Sequence, residues 1–401
     1  MGGAISGQFM NLITGAGYTQ SSIQMKDTGR DKNEDARLTL FLSGDVMTGR
    51  GIDQVMPQSV NPHLYEHFSR NALDYVQIAE DKNGPIPDKV SFKYIWGDAL
   101  KVLDEIKPGV RIINLETAIT TSEDYDRNKG IHYRMHPENT EFFTTAGITI
   151  CSLGNNHIMD WGEDGLHETL MALHNRHILT AGVGFNGKTA AEPAIVKTGT
   201  GRLILFAYAS PTAGVPIQWR ADKKKEGVNL LTESKPENVE TVINQVRRYK
   251  QNGDLIVVSI HWGENFGYEI PGEQQEFAHK LIDENVADII YGHSSHHPKS
   301  IEVYKNRPII YGCGDLINDY EGVSGYEYYR DDLSLMYFPT LNVKGELQEF
   351  RLIPMQIRRF QLCKPSYENI KWMEKRLNEI YHKYGSSVVE NPDCGWNLQW
   401  G

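Results

Sequence analysis

One recurring unit constrains this chain most: a short apolar run that stops at a polar, metal-ligating residue and is followed by a helical pattern. The apolar runs at residues 38–43, 111–115, 148–153, 203–209, 254–260 and 287–291 read as strands. Between them, residues 165–175, 236–250 and 273–285 carry helical periodicity. Alternation of this kind predicts an α/β fold with a substantially parallel sheet covered by helices.

Past residue 300 the pattern changes. Residues 301–304 and 309–311 flank Lys305-Asn306-Arg307-Pro308, which reads as a hairpin turn. Residues 333–340, 346–354 and 356–362 continue as antiparallel strands, 367–384 as one amphipathic helix and 385–401 as a tail. Residues 51–100 form an irregular insertion carrying Tyr65, His67, Tyr75, Tyr94 and Trp96, read as packing groups with a lid as the alternative. The expected organisation is an N-terminal arm at 1–37, one domain at 38–362, and a C-terminal helix and tail at 363–401 packed on that domain.

Composition narrows the function classes. The 401 residues include 41 Lys plus Arg against 52 Asp plus Glu, a formal charge of −11. That balance lacks the basic footprint of a nucleic-acid binder. It is compatible with an anionic substrate, because a local site can oppose the global charge. No run approaches the ~20 apolar residues of a membrane span. Met1-Gly2-Gly3-Ala4-Ile5-Ser6 fits the loose myristoylation pattern, but nothing polybasic follows. The four cysteines show no close pairing. With no signal-like segment at the start, these features predict a cytoplasmic protein with reduced thiols.

The chemistry sits where the strands stop. Phe41-Leu42-Ser43-Gly44-Asp45 and Ile112-Ile113-Asn114-Leu115-Glu116 each end in a carboxylate. Cys151-Ser152-Leu153-Gly154-Asn155-Asn156-His157 ends in an amide and an imidazole. Val257-Val258-Ser259-Ile260-His261 ends in an imidazole, and Gly292-His293-Ser294-Ser295-His296-His297 supplies three more. Open α/β sheets gather ligands outside the carboxyl ends of their strands, so five such ends describe one converging site. Mixed oxygen and imidazole donors without thiolate suit one or two divalent ions such as Mn²⁺, Fe²⁺ or Zn²⁺.

Gly44-Asp45-Val46-Met47-Thr48-Gly49-Arg50, Asn114-Leu115-Glu116, the block from Ser152 to Gly162, Ser259-Ile260-His261-Trp262-Gly263 and Gly292-His293-Ser294-Ser295-His296 occur in this order. Together they resemble the signature blocks of the CapA-type poly-γ-glutamate capsule-biosynthesis proteins, a branch of the calcineurin-like metallophosphoesterases. The resemblance spans roughly residues 38–320. It implies a four-layer α/β/β/α sandwich and a set of metal ligands: Asp45, Glu116, Asn156, His261, His293 and His296. His157 resembles the superfamily's catalytic histidine, and Asp160 is its plausible orienting partner.

Three departures from the superfamily pattern stand out. The usual Asp-x-His reads Asp45-Val46-Met47, so one imidazole is missing. The bridging carboxylate is Glu116, one methylene longer than aspartate. The final Gly-His-x-His carries an extra residue, leaving His296 or Ser295 at the second position and His297 as a spare. Arg50 and Arg134 are the candidate anchors for an anionic, small or polymeric substrate. The loop Gly312-Cys313-Gly314-Asp315-Leu316-Ile317-Asn318-Asp319-Tyr320 is expected to complete the pocket, its glycines permitting close backbone approach. The functional expectation is a metal-dependent hydrolase in which activated water attacks a γ-glutamyl-type amide. A phosphoesterase, or a non-catalytic component of poly-γ-glutamate synthesis, is the alternative.

Overall fold

Alternate residues of the central strands are apolar on both faces, and this double-sided burial divides the strands between two stacked sheets. A computed structural model describes residues 23–24, 36–232, 236–325 and 327–401. The myristoylation-like pattern and nearly all of the expected arm lie outside the described residues. The larger sheet has ten strands, running in order from Ser386–Glu390 through Trp396–Trp400, Leu347–Arg358 and Leu333–Asn342 to Arg37–Val46, Val110–Leu115, Ile150–Ser152 and Leu179–Ala181. Asp315–Ile317 pairs beside Arg37–Val46, and Gln361–Cys363 beside Leu347–Arg358. The second sheet has seven strands, with Gly201–Ala209, Leu255–His261, Ile289–His293 and Arg307–Ile310 running parallel through its middle.

Period-two alternation assigns each side chain to a layer. Leu40, Leu42, Ile112 and Ile150 of the larger sheet meet Leu203, Leu205, Val257 and Ile289 of the smaller one between the sheets. Phe41, Ile113 and Cys151 point the other way, into a core with Leu166, Leu170 and Leu173 of helix Gly162–Asn175. Ile204, Phe206, Ile256 and Val258 pack outward against Val242, Ile243, Phe277 and Leu281 of helices Pro236–Tyr249 and Gly272–Asp283. The architecture is therefore the α/β/β/α sandwich that the resemblance implies. Fully burying each such Leu, Ile or Phe contributes ~1.5–3 kcal/mol, and two-sided burial explains why these strands read as continuous apolar runs. Polar links register the sheets near the site: Tyr291 OH donates to Ser43 O, and the Ser152 and Ser259 hydroxyls lie 2.9 Å apart.

Some elements differ from the sequence expectation. Residues 346–354 and 356–362 are one long strand, Leu347–Arg358, followed by a turn and the short return Gln361–Cys363. Pro354 sits where the strand's outer edge changes neighbour, between positions 351–352 paired to Trp396–Trp400 and positions 356–358 paired to Gln361–Cys363. A residue without an N–H costs least at such a break. The expected tail is a hairpin, Ser386–Glu390 with Trp396–Trp400, that extends the larger sheet and buries Trp396 and Leu398. In the 51–100 segment Tyr75 and Trp96 are buried, which favours packing over a lid. Among the described residues no helix is long and apolar enough to cross a membrane, and all four cysteines are free thiols.

Candidate metal centre

Parallel register brings the strand ends to one place. Asp45 is paired with Asn114 across the larger sheet, and His261 with His293 across the smaller. Asn114 Nδ2 donates to Asp45 Oδ1 at 2.7 Å, and the Ser294 N–H donates to Asp45 Oδ2 at 3.3 Å. Ser294 holds φ 98°, sparse for a residue with a side chain, and its hydroxyl is tied to Gly263 O at 3.1 Å. The Nδ1 atoms of His261 and His293 face each other at 2.8 Å, while His293 Nε2 lies 2.8 Å from Ser259 Oγ. Asn155 fixes the next turn, donating to Leu115 O at 2.8 Å and accepting from the His157 N–H at 3.1 Å.

Two donor groups share Asp45. Asp45, His261 and His293 offer ligand atoms within 4.8 Å of one another, and so do Asp45, His296 and Asp315. Glu116 adjoins them but lies outside both groups, and Asn156 occupies the turn just before His157. Glu116 hydrogen-bonds Asp45 and sits 3.9 Å from His261 Nε2. Glu116 Oε2, Asn156 Oδ1 and His261 Nε2 are buried without a hydrogen-bond partner among the described residues. Burying such groups unpaired is costly, and coordination to a divalent cation is one way to offset that cost. The donors present therefore fit a metal. Burial, followed by the charge of Asp315, raises Asp45, and burial with the Asp45 charge pushes Glu116 well above the carboxylate range. Burial, with neighbouring His293, holds His261 well below its ordinary value, leaving it the neutral imidazole a metal requires.

His157 stands beside this cluster. Its Nδ1–H donates to Asp160 Oδ2 at 2.6 Å, and its Nε2 lies 3.7 Å from Glu116 Oε1. Asp160 also accepts from the Tyr133 N–H at 2.8 Å and from Lys129 Nζ. The same ammonium group donates to Asn156 O, and the Tyr133 ring meets His157 edge-on at 4.5 Å. Burial, and then Lys129, holds His157 well below its ordinary value; burial raises Asp160 to about 6 despite Lys129.

At the final motif the three candidate residues face different partners. His296 Nδ1 is 2.8 Å from Asp315 Oδ1, whereas Ser295 Oγ turns to His297 O at 2.9 Å and His297 stacks on Tyr329 at 4.6 Å. A cavity of about 400 Å³ opens beside His296, walled by Phe68, Ile131, Phe266 and Tyr320 with His67 and Asn265 among its polar lining.

The two arginines require correction. Arg50 reaches the cavity wall, but Asp319 accepts its Nε at 3.2 Å and also its Nη2, while Glu66 and Tyr75 take Nη1 at 3.1 and 2.9 Å. Its charge is neutralised by two buried carboxylates, so it braces the wall. Arg134 is outside that lining: it stacks on Trp161 at 3.8 Å, pairs with Glu123 at 3.1 Å and donates to Ser122 O and Asn61 O. The sequence reading carries Asp315 only within the loop expected to complete the pocket, and it omits Lys129. Asp315 had a detectable signal, a Gly-Asp strand start resembling Gly44-Asp45, whereas Lys129 lies in a loop with no spacing signature.

The comparisons with known proteins agree with the blocks read from the sequence. The chain is 39% identical over 359 residues to a probable polyglutamine synthesis accessory protein of Mycobacterium tuberculosis, covering 89% of this chain and 94% of the relative. It is 26% identical over 321 residues to the PGA biosynthesis protein CapA of Bacillus subtilis, covering 80% and 72% of the two chains. It is 25% identical over 308 residues to the capsule biosynthesis protein CapA of Bacillus anthracis, covering 76% and 64%. Among solved structures, a 5′-nucleotidase precursor from Thermus thermophilus aligns at TM-score 0.44 and 15% identity over 80% of this chain and 54% of that one. The family described as bacterial capsule synthesis protein PGA_cap matches residues 39–320, and the chain belongs to that family.

Proposed function

We propose that this chain is a metal-dependent hydrolase that cleaves γ-glutamyl-type amide bonds in poly-γ-glutamate metabolism. One observation carries the reading: three buried, unpartnered donors, from Glu116, Asn156 and His261, lie beside a histidine oriented by a carboxylate. The family and the polyglutamate-related names of its relatives support the polymer class. Asp45, Glu116, Asn156, His261, His293 and His296 would hold a divalent ion, which when bound would supply Lewis-acid polarisation of a carbonyl and a lowered pKa for water. The chain's own residues move the proton. Asp160 holds Nδ1–H of His157, so Nε2 faces the reacting centre as the basic nitrogen. It accepts a proton from the attacking water and returns it to the leaving amine nitrogen, the general base and then acid of one turnover. Phe266 and Tyr320 offer apolar walls for the glutamyl methylenes, with Asn265 and His67 at hand for polar groups.

A substrate panel tests this. Metal-free protein and protein loaded with Mn²⁺, Fe²⁺ or Zn²⁺ are incubated with γ-glutamyl oligomers and with phosphoesters. Metal-dependent release of amine from the γ-glutamyl compounds is the expected result. Turnover of phosphoesters alone makes the chain a phosphoesterase, and polymer binding without turnover under any metal makes it a non-catalytic component of synthesis.

A further inference from the structure

Helix Pro236–Tyr249 buries Val242, Ile243 and Val246 against the smaller sheet, and beside that face it carries Asn238, Gln245 and Arg248 at helical spacing. These three line a cleft of about 390 Å³ that Arg220 and the segment 228–231 border in turn. Gly187, Ala190 and Ala191 complete the lining, and their small side chains leave the space open. The volume is that of a small-ligand site. The cleft shares no lining residue with the cavity beside His296.

We propose that this cleft binds a short acidic peptide in extended form, with one carboxylate on Arg220 and another on Arg248. Charge points to an anion. Among the described residues no carboxylate lines the cleft, although the chain as a whole carries −11. Neither guanidinium has an ion-pair or hydrogen-bond partner among the described residues, unlike Arg50 and Arg134. A guanidinium fork pairs a carboxylate through two parallel N–H···O bonds. A buried donor adds an independent sign. Asn238 is 7% exposed, and its Oδ1 accepts from the Thr232 hydroxyl at 3.4 Å. Its Nδ2 is left buried with no partner among the described residues, a cost that a bound acceptor offsets. Length selects an extended ligand over a compact one. Asn238 and Arg248 stand about 15 Å apart along the helix at ~1.5 Å per residue. Four extended residues span ~13 Å, and the carboxamides of Asn238, Asn244 and Gln245 match the amide groups between their carboxylates. None of this depends on the hydrolase reading, because no residue of the metal centre takes part.

Titration calorimetry of the full, metal-free chain with α-linked tetraglutamate tests the site, with tetraglutamine as the neutral counterpart. Wild type is expected to bind one tetraglutamate, and tetraglutamine at least ~10-fold more weakly. Arg220→Gln and Arg248→Gln should each weaken tetraglutamate by ~10–100-fold, as charge-assisted hydrogen bonds are lost. Both positions are exposed, and melting curves matching wild type show that the fold is kept. Arg247→Gln is the control: it changes the net charge equally, but Arg247 pairs with Glu284 at 2.8 Å outside the cleft, so affinity should stay unchanged. No binding by wild type, or equal binding of tetraglutamine, overturns the proposal without any variant. Full affinity in either Arg220→Gln or Arg248→Gln, or an equal loss in Arg247→Gln, overturns it as well. Each of these results leaves the proposed hydrolase standing.

Discussion

Lys129, Asp160 and His157 form a chain in which each group sets the state of the next. The ammonium group keeps Asp160 ionised against burial, and Asp160 holds the Nδ1–H tautomer of His157. His157→Asn should lower turnover by ~10²–10⁴-fold while leaving metal content intact, since the imidazole acts on protons. His261→Asn should lower both. Lys129→Met carries a pH signature. Asp160 sits at about 6 with the ammonium group present. Without it the carboxyl rises further, so the acid limb of kcat should move to higher pH, which a pH–rate profile reads directly. At this scale the candidate ligands are legible because a strand end is a position with a predictable direction. Asp45, Glu116, Asn156, His261, His293 and His296 are all reached that way or through the family blocks. Arg50 and Arg134 read as substrate anchors only because their partners, Glu66, Asp319 and Glu123, come from loops that the sequence does not visibly bring near.

Among the elements, two hairpins show why one turn was readable and another was not. Lys305 and Asn306 take φ 49° and 60° between paired Tyr304 and Arg307, a two-residue turn that Asn tolerates well. Arg359 and Phe360 do the same at φ 56° and 57°, with neither glycine nor asparagine to announce it. Tertiary contacts hold that turn: Glu321 accepts both N–H groups at 2.7 and 3.0 Å, and Phe360 is buried. Replacing exposed Arg359 with Asn should therefore stabilise the protein, by about 0.5–1 kcal/mol in chemical denaturation, as the left-handed penalty is eased. Asp53 links two other loops, accepting the Val60 and His136 N–H groups at 2.8 Å each. Burial raises its carboxyl to about 7. The folded state then binds this proton more tightly than the unfolded chain, so stability falls as pH rises from the ordinary carboxylate value toward 7. Asp53→Asn removes that component. The melting-temperature difference, variant minus wild type, should grow across that window and level off above it.

For the whole molecule, the sandwich depends on its last residues. Trp396–Trp400 covers the outer edge of Leu347–Arg358, and Trp396 is buried among Leu352 and Phe350. Trp396→Ala should cost ~3–5 kcal/mol, read as a shift in the denaturation midpoint; an unchanged midpoint would return these residues to the status of a tail. Their strand character was hidden by short length and by the turn residues between them, whereas the two-sheet core announced itself through long apolar runs. The same stacking of sheets brings Asp45 and Glu116 from one layer toward His261 and His293 from the other. That convergence is the basis of the function proposed for this chain, and anomalous diffraction from manganese-loaded crystals addresses it directly. The account predicts a strong peak within ~2.0–2.3 Å of the Asp45 carboxylate and imidazole nitrogens of His261 and His293. Fully loaded crystals with no anomalous density between these side chains would contradict it.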